Sequence, residues 1–212
     1  MVSVDKIPLK EQQLRLKEAV VLQAVNGLLA QKGYDLMTVD EVAAAVGIAK
    51  PSLYKLFDSK EALAGAAMVR LLGRALEVVR AQPADAPPLA RLRALLRWAV
   101  EEQLRGEMPR LPSTRSSLRD ALMRNDEYVR RLNELGEVLS AWIGAAQATG
   151  DLAADLPVEL VLFTLFARTC DPVVDYLKTG GAFSDAEIVD MLERSTFTGL
   201  TGGPLAPLPA GR

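Results

Sequence analysis

Five polar side chains between residues 50 and 60 have the chemistry to contact the phosphates and base edges of a nucleic acid. They are Lys50, Ser52, Tyr54, Lys55 and Lys60. Lysine and tyrosine donate hydrogen bonds to phosphate oxygens, and serine donates to or accepts from a base edge. In the same stretch only Leu53, Leu56 and Phe57 are available to pack inward. The alternative is that these charges form an ordinary solvated helix surface.

Two short helices around a tight turn are predicted to position these side chains, over residues 38–57 (TVDEVAAAVGIAKPSLYKLF). Thr38 and Glu41 form a capping box, in which each side chain accepts a hydrogen bond from the other residue's backbone N–H. Gly47 supplies the left-handed residue that ends the first helix, and Pro51 fits the first turn of the second. This geometry can place the second helix in the DNA major groove, although other all-α proteins also contain such pairs.

The composition excludes several classes of enzyme. The 212 residues contain no histidine, which removes Ser-His-Asp and Cys-His nucleophile systems and the usual zinc sites. No glycine-rich phosphate-binding motif occurs. Paired acids such as Glu101-Glu102 and Asp126-Glu127 are adjacent on helical segments, so their carboxylates diverge. We therefore expect no catalytic activity, no metal site and no cofactor.

Cysteine usage and hydropathy predict a cytoplasmic protein. The single Cys170 excludes an intrachain disulfide framework and fits a reducing compartment. No apolar run reaches the ~18 residues of a membrane span, and the first residues lack the apolar region of a signal peptide. The net charge is −2, but residues 1–60 carry eight Lys and Arg against seven Asp and Glu. A modest local positive surface is enough for binding one DNA site.

The remainder of the chain is predicted to be helical, because no alternating strand pattern competes. Beyond the pair described above, the predicted helices lie at about 9–32, 60–81, 89–106, 113–123, 125–149, 157–179 and 184–200. Gly33 ends the first of these, and a proline-rich break at 82–88 follows the second. The prediction is thus an all-α fold of about nine helices.

One predicted helix, at 157–179, is apolar around nearly its whole circumference between Val158 and Ala167. Such a helix must be buried on more than one side. One side can face its own subunit and the other a second copy, with help from the last helix. The apolar side of that last helix carries Ile188, Met191, Leu192 and Phe197. We therefore expect an isologous homodimer through the last two helices, about 156–200, with burial inside one subunit as the alternative.

Residues 24–63, AVNGLLAQKGYDLMTVDEVAAAVGIAKPSLYKLFDSKEAL, resemble the N-terminal signature of the tetracycline-repressor (TetR) family of bacterial transcriptional regulators. The resemblance runs in order through KGY, T-V-x-E, G-I-x-K, S-L-Y-x-x-F and SKEAL. It implies an N-terminal three-helix helix-turn-helix DNA-binding domain, 1–60, with the helix-turn-helix at about 38–57. It also implies a C-terminal helical ligand-binding and dimerisation domain, 61–200, and we expect a flexible tail at 201–212.

The resemblance also implies roles for individual residues. Phosphate contacts are implied for Thr38, Tyr54, Lys55 and Lys60, and base contacts for Lys50, Pro51 and Ser52. Two positions depart from the family pattern. Ala49 stands where a Ser or Thr helix cap is usual, and Leu56 stands where His or another polar residue is common.

These observations predict a homodimeric repressor that binds a near-palindromic double-stranded DNA operator and is released by a small hydrophobic effector. We expect the effector pocket among the fifth to eighth helices. Its candidate residues are Trp98, Met108, Tyr128, Leu135, Trp142, Phe163, Phe166, Thr169 and Cys170. Ordinary core packing is the alternative for each of them. Two other functions are left open: a redox-responsive regulator that uses Cys170, and a helical protein without DNA activity.

Overall fold

The computed structural model describes residues 8–110 and 116–198 of the chain, and its secondary structure over these residues is α-helical. The predicted tail at 201–212 lies outside them. The ten helices of the described residues are α1 Leu9–Leu36, α2 Val39–Val46, α3 Lys50–Tyr54, α4 Lys60–Arg80, α5 Pro88–Leu104, α6 Ser117–Met123, α7 Asp126–Ala148, α8 Val158–Arg168, α9 Pro172–Gly180 and α10 Asp185–Phe197. The all-α prediction is confirmed.

The chain divides into two compact units. The N-terminal unit comprises Met1–Glu77 and Gly106–Leu135, and the C-terminal unit comprises Val78–Arg105 and Gly136–Arg212. Both α4 and α7 contribute residues to each unit. The N-terminal unit therefore contains more than the three helices predicted for residues 1–60, because it also includes most of α4, all of α6 and the start of α7.

A single apolar core joins α1, α2, α3, α4 and α6 in the N-terminal unit. Its largest fully buried side chains are Val21, Val25, Leu29, Met37, Val42, Leu53, Leu63 and Leu118. Burial of such side chains supplies most of the stability of short helices, which are marginal alone. The five-residue α3 depends on this core through Leu53, which is 1% exposed.

Gly33 interrupts α1 where the sequence predicts the helix to end. Its φ of +77° and ψ of 172° are not helical, and the positive φ favours glycine. One further turn continues to Leu36. This turn buries Tyr34, which is 6% exposed, and leaves Leu36 70% exposed.

The core of the C-terminal unit is formed where α5 packs against α9 and α10. Its buried residues are Leu96, Val100, Leu104, Val174, Ile188, Val189 and Leu192, with Met191 and Phe197 packed against them. An ion-pair network on the same helices adds to the packing, since Arg93 and Arg97 of α5 both contact the buried carboxylate of Glu193. In the single chain the apolar side of α10 packs inside its own unit, which was the alternative to the predicted interface, and the homodimer through the last two helices stays a prediction.

The predicted helix at 157–179 is two helices, α8 and α9, separated at 169–171. Pro172 has no backbone N–H and favours a helix start. Asp171 is the N-cap of α9, and its Oδ1 accepts from the backbone N–H of Val173 at 3.0 Å. In addition, Gln103 Nε2 of α5 donates to the Asp171 carbonyl at 2.8 Å. The sequence predicts a single helix kinked at Asp171-Pro172, where proline removes a backbone hydrogen bond. The structure has a full break at that position, which raises the helix count from nine to ten.

The helix predicted from Ser113 begins later, at Ser117, although 111–115 lie outside the described residues. Ser116 is its N-cap, and the Ser116 hydroxyl accepts from the backbone N–H of Leu118 at 3.3 Å. Leu118 and Leu122 then place one face of α6 in the core of the N-terminal unit. Among the described helices, none is both long and apolar enough to cross a membrane.

Candidate nucleic-acid interface

The predicted capping box at Thr38 is present and fixes the start of α2. The Thr38 hydroxyl accepts from the Glu41 N–H at 3.2 Å, and the Glu41 carboxylate accepts from the Thr38 N–H at 2.9 Å. Lys32 of α1 also contacts this carboxylate. The hydrogen bond from Lys32, together with those from Thr38, lowers the pKa of Glu41 to about 2. Thr38 is exposed beside this helix start.

The orientation of α3 is set by Gly47 in the turn after α2 and by Leu53 in α3 itself. Gly47 has a φ of +74° and is the left-handed cap that the sequence predicts. Leu53 inserts into the core, and Leu56 and Phe57 pack against its edge, as predicted. Ala49, at the N-cap of α3, makes no side-chain cap, in agreement with its departure from the family pattern.

The remaining side chains of α3 face solvent. Because Leu53 occupies the inward position of this short helix, the residues on its other sides have no core to enter. Tyr54 is 43% exposed. Lys50, Pro51 and Ser52 of α3 are also exposed, as is its C-cap residue Lys55. The structure therefore places five of the seven predicted DNA-contacting residues on one solvent-facing element, with Thr38 exposed at the adjacent helix start.

Lys50 and Lys60, two of the three predicted lysine contacts, have different partners in the structure. Lys50 Nζ donates to Asp40 Oδ2 at 2.9 Å, and both side chains are exposed. This hydrogen bond and the charge of Asp40 raise the pKa of Lys50. Lys60 instead places its ammonium 4.1 Å from the centroid of the Tyr34 ring. A nucleic acid must therefore displace Asp40 from Lys50, whereas Lys60, among the described residues, is in no direct ion pair and acts on the neighbouring Glu61 carboxylate through its charge.

The substitution Asp40→Asn is expected to strengthen duplex DNA binding about three-fold, because it releases Lys50 and removes a negative charge beside the phosphates. Fluorescence anisotropy titration of a labelled duplex measures the change. Asp120→Asn is the matched control, since Asp120 also lies in the first turn of a helix, α6. A weaker complex for Asp40→Asn than for the control would show that Asp40 holds Lys50 in its binding position instead of masking it.

Tyr34 is a functional candidate that the sequence reasoning did not single out. Its hydroxyl donates to Glu61 Oε1 at 2.8 Å, and the Ser117 hydroxyl donates to the same oxygen at 2.9 Å. Burial of the phenol, reinforced by the neighbouring Glu61 carboxylate, raises the pKa of Tyr34 to about 12. The only signal in the sequence was a tyrosine just after a helix-ending glycine, since a buried tyrosine hydroxyl usually needs a partner.

The residues predicted to line an effector pocket are divided between the two units. Met108, Tyr128 and Leu135 belong to the N-terminal unit, and the C-terminal unit holds Trp98, Trp142, Phe163, Phe166, Thr169 and Cys170. Tyr128 packs against the N-terminal core. Phe163 is 65% exposed on α8, so it does not line a pocket enclosed by this chain. The pocket thus stays a prediction.

Cys170 lies at the break between α8 and α9 and is partly buried. Its sulfur is 3.7 Å from the Thr169 hydroxyl. Over 8–110 and 116–198, no three Cys, Asp or Glu side chains are grouped so that they could hold a metal ion.

Fold and site together define a helix-turn-helix protein of the all-α class. The family described as bacterial regulatory proteins, tetR family, matches residues 21–67. Residues 21–67 are thus similar to the N-terminal region of TetR-family bacterial transcriptional regulators.

Known proteins extend this similarity over different parts of the chain. The HTH-type transcriptional regulator AlkX of Mycobacterium tuberculosis (strain ATCC 25618 / H37Rv) is 33% identical over 78 residues, which cover 37% of this chain and 37% of AlkX. SCO3833, a TetR-family member from Streptomyces coelicolor A3, is 26% identical with a TM-score of 0.58, covering 85% of this chain and 90% of its own. The regulator FadR from Bacillus subtilis, solved with stearoyl-CoA, is 15% identical with a TM-score of 0.62. The match covers 86% of this chain and 98% of the FadR chain.

Proposed function

We propose that this chain is a homodimeric repressor that binds operator DNA in the bacterial cytoplasm and carries no enzymatic activity. The observation that carries the proposal is the orientation of α3. Leu53 anchors it in the core, while Lys50, Ser52, Tyr54 and Lys55 remain free of the core. This is the arrangement of a recognition helix, whose side chains contact base edges and phosphates in the major groove.

The proposed roles follow the chemistry of each side chain. Lys50, Pro51 and Ser52 lie at the start of α3, where base edges are met, and Pro51 can pack against a thymine methyl. The phosphates on either side of these bases are contacted by Thr38, Tyr54, Lys55 and Lys60. Phosphate contacts fix the position of the helix on the duplex, whereas the base contacts select the sequence.

A face of α8 supports the homodimer. Leu160 is 52% exposed and Phe163 is 65% exposed. Thr164 and Ala167, which lie on the same side at helical spacing, are also exposed. The opposite side of α8 carries Leu165, which is buried. We propose that two copies pair through this outer face of α8, with α10 contributing only its polar outer side.

A dimer of this kind reads two half-sites. Two copies of α3 spaced about 34–36 Å apart fit successive major grooves on one side of the duplex, so the operator is near-palindromic. DNase footprinting of the DNA upstream of the gene that encodes this chain is expected to protect a short palindromic region. Binding there should weaken steeply as salt rises. No protected region, together with no salt-dependent binding, would contradict the proposal.

The proposed effector carries a hydrophobic portion, and long-chain acyl-coenzyme A, whose acyl chain is apolar and whose nucleotide portion is charged, is the class to test first. The solved complex of the Bacillus subtilis regulator with stearoyl-CoA supports this choice, because its fold covers most of this chain. An effector releases the repressor only if it binds the non-DNA-binding conformation more tightly than the DNA-binding one.

Stearoyl-CoA added to the preformed protein–DNA complex is expected to lower the anisotropy of labelled DNA to that of free DNA. Coenzyme A alone is the control for the nucleotide portion, and stearate is the control for the acyl chain. Release by stearate with equal potency would assign the effector to free fatty acids. If neither stearoyl-CoA nor stearate releases the DNA, acyl compounds are excluded as effectors, and the proposed DNA binding is unaffected.

A further inference from the structure

We propose that Tyr34 is a positioning residue that holds the Lys60 ammonium ready for a DNA phosphate, and that Ser117 of α6 helps to fix Tyr34 in that position. The inference rests on the proposed DNA-binding function and adds two residues to it. Neither side chain is proposed to touch DNA. All the residues involved belong to the N-terminal unit.

The Tyr34 ring forms a fixed platform. It is 6% exposed and belongs to the buried core of the unit. Its hydroxyl donates to Glu61 Oε1 at 2.8 Å and lies 3.2 Å from the Ser117 hydroxyl. The ring is thus held on its faces by packing and at its tip by two polar partners from two different helices.

Lys60 lies over this platform with its positive charge still available. Its ammonium is 4.1 Å from the ring centroid, well inside the distance at which a cation is attracted to an aromatic face. The neighbouring Glu61 carboxylate accepts hydrogen bonds from Tyr34 and Ser117. In the part of the chain that the structure describes, no carboxylate lies within ion-pair distance of Lys60, unlike Lys50 with Asp40.

This arrangement reduces the cost of binding. A mobile lysine side chain loses conformational entropy when it is held against a phosphate, because several of its bonds can no longer rotate. This loss weakens binding. Contact with the Tyr34 ring restricts that freedom before DNA arrives, without neutralising the ammonium. Ser117 supports the ring indirectly, because it shares the Glu61 oxygen that fixes the Tyr34 hydroxyl. A change at the start of α6 would therefore alter the Lys60 contact.

A double-mutant cycle tests the proposal, with a short labelled duplex of random sequence as the probe. Random sequence is sufficient, because a phosphate contact does not depend on the bases. Lys60→Gln is expected to reduce the slope of log affinity against log salt by about one for each protomer bound. Tyr34→Leu is expected to weaken binding about five-fold in the wild-type background and to have no effect in the Lys60→Gln background.

The outcomes separate this inference from the proposed function. If the wild-type protein binds no duplex, the proposed function fails. If it binds, and Tyr34→Leu weakens binding equally with and without Lys60, then Tyr34 has only a structural role and the inference is wrong. Thermal unfolding checks that each variant is folded at the temperature of the titration.

Two further variants cover the case in which Tyr34→Leu does not fold. Tyr34→Phe and Ser117→Ala keep the core packing but remove hydrogen bonds at the tip of the ring, and each is expected to weaken binding about two-fold, again only when Lys60 is present. Ser140→Ala on α7 is the control, and it should leave binding unchanged. No weakening by either Tyr34→Phe or Ser117→Ala would overturn the role of the hydrogen bonds.

Nuclear magnetic resonance provides a readout that does not involve DNA. Protons above an aromatic ring shift upfield, so one lysine ε-methylene resonance should be displaced from the others. The displaced resonance is expected to disappear in Lys60→Gln and to move toward the common position in Ser117→Ala. A wild-type spectrum without a displaced resonance would contradict the ring contact itself.

Discussion

Replacing Tyr54 and Lys55 together with alanine is expected to weaken operator binding on the order of 100-fold, without unfolding the protein. Both side chains are exposed, and Tyr54 is 43% exposed, so neither substitution leaves a cavity. Each protomer of the proposed dimer loses one cationic and one hydroxyl contact to phosphate. The loss should be similar for all DNA sequences, because phosphates carry no sequence information.

Anisotropy titrations at several salt concentrations measure this effect. The slope of log affinity against log salt is expected to fall by about two for the dimer, one for each Lys55. Arg119→Ala is the matched control, because it also removes one positive charge from an exposed helical position but lies on α6, outside the helix-turn-helix. Unchanged operator affinity for the Tyr54 and Lys55 variant would exclude α3 as the recognition helix.

Replacing Phe163 with aspartate is expected to convert the dimer into monomers and to reduce operator affinity by about 100-fold or more. Phe163 is 65% exposed in the single chain, so the charge is tolerated by the folded monomer. In the proposed interface, the same carboxylate would be buried against its copy without a partner, which is strongly unfavourable. A monomer holds only one α3, and it therefore loses the benefit of binding two half-sites at once.

Analytical ultracentrifugation measures the change in assembly. Wild-type protein should sediment as a dimer, and the variant at half that mass. Met123→Asp is the control, because Met123 is also an exposed apolar residue, 59% exposed, but lies on α6. A Phe163→Asp protein that remains dimeric would move the interface away from α8.

The parts of the fold that follow local rules were predicted well from the sequence. The predicted capping box at Thr38 is present, and Ser184 and Glu187 form a second one at the start of α10, because all the atoms a capping box needs lie within four residues. Asn125 caps the helix predicted from about residue 125, with its Oδ1 accepting from the Tyr128 N–H at 2.9 Å. Gly47 likewise ends α2, since the requirement for a positive φ belongs to a single residue.

The parts that depend on contacts between distant residues were not predicted. The hydrogen bond from Ser117 to Glu61 joins residues 56 positions apart, and no local pattern marks it. The apolar stripe of α10 was visible, but a stripe does not say which surface covers it. In the structure, α5 covers it, whereas Leu160 and Phe163 of α8 remain exposed. Periodicity identifies a buried side, and only the tertiary fold identifies its neighbour.

Hydrogen bonds from Lys32 and Thr38 lower the pKa of Glu41, and burial raises the pKa of Tyr34, so both groups titrate far from neutral pH. With a pKa lowered from 4.5 to about 2, Glu41 stabilises the fold fully above pH 4.5 and loses that contribution as the pH falls through about 2. With a pKa raised from 10.0 to about 12, Tyr34 contributes fully below pH 10 and loses its contribution as the pH rises through about 12. The chain also has no histidine, the side chain that most often changes charge between pH 5 and 8. Between pH 5 and 8 neither Glu41 nor Tyr34 therefore changes its protonation state, and the proposed DNA binding is expected to be independent of these two groups' titration over that range.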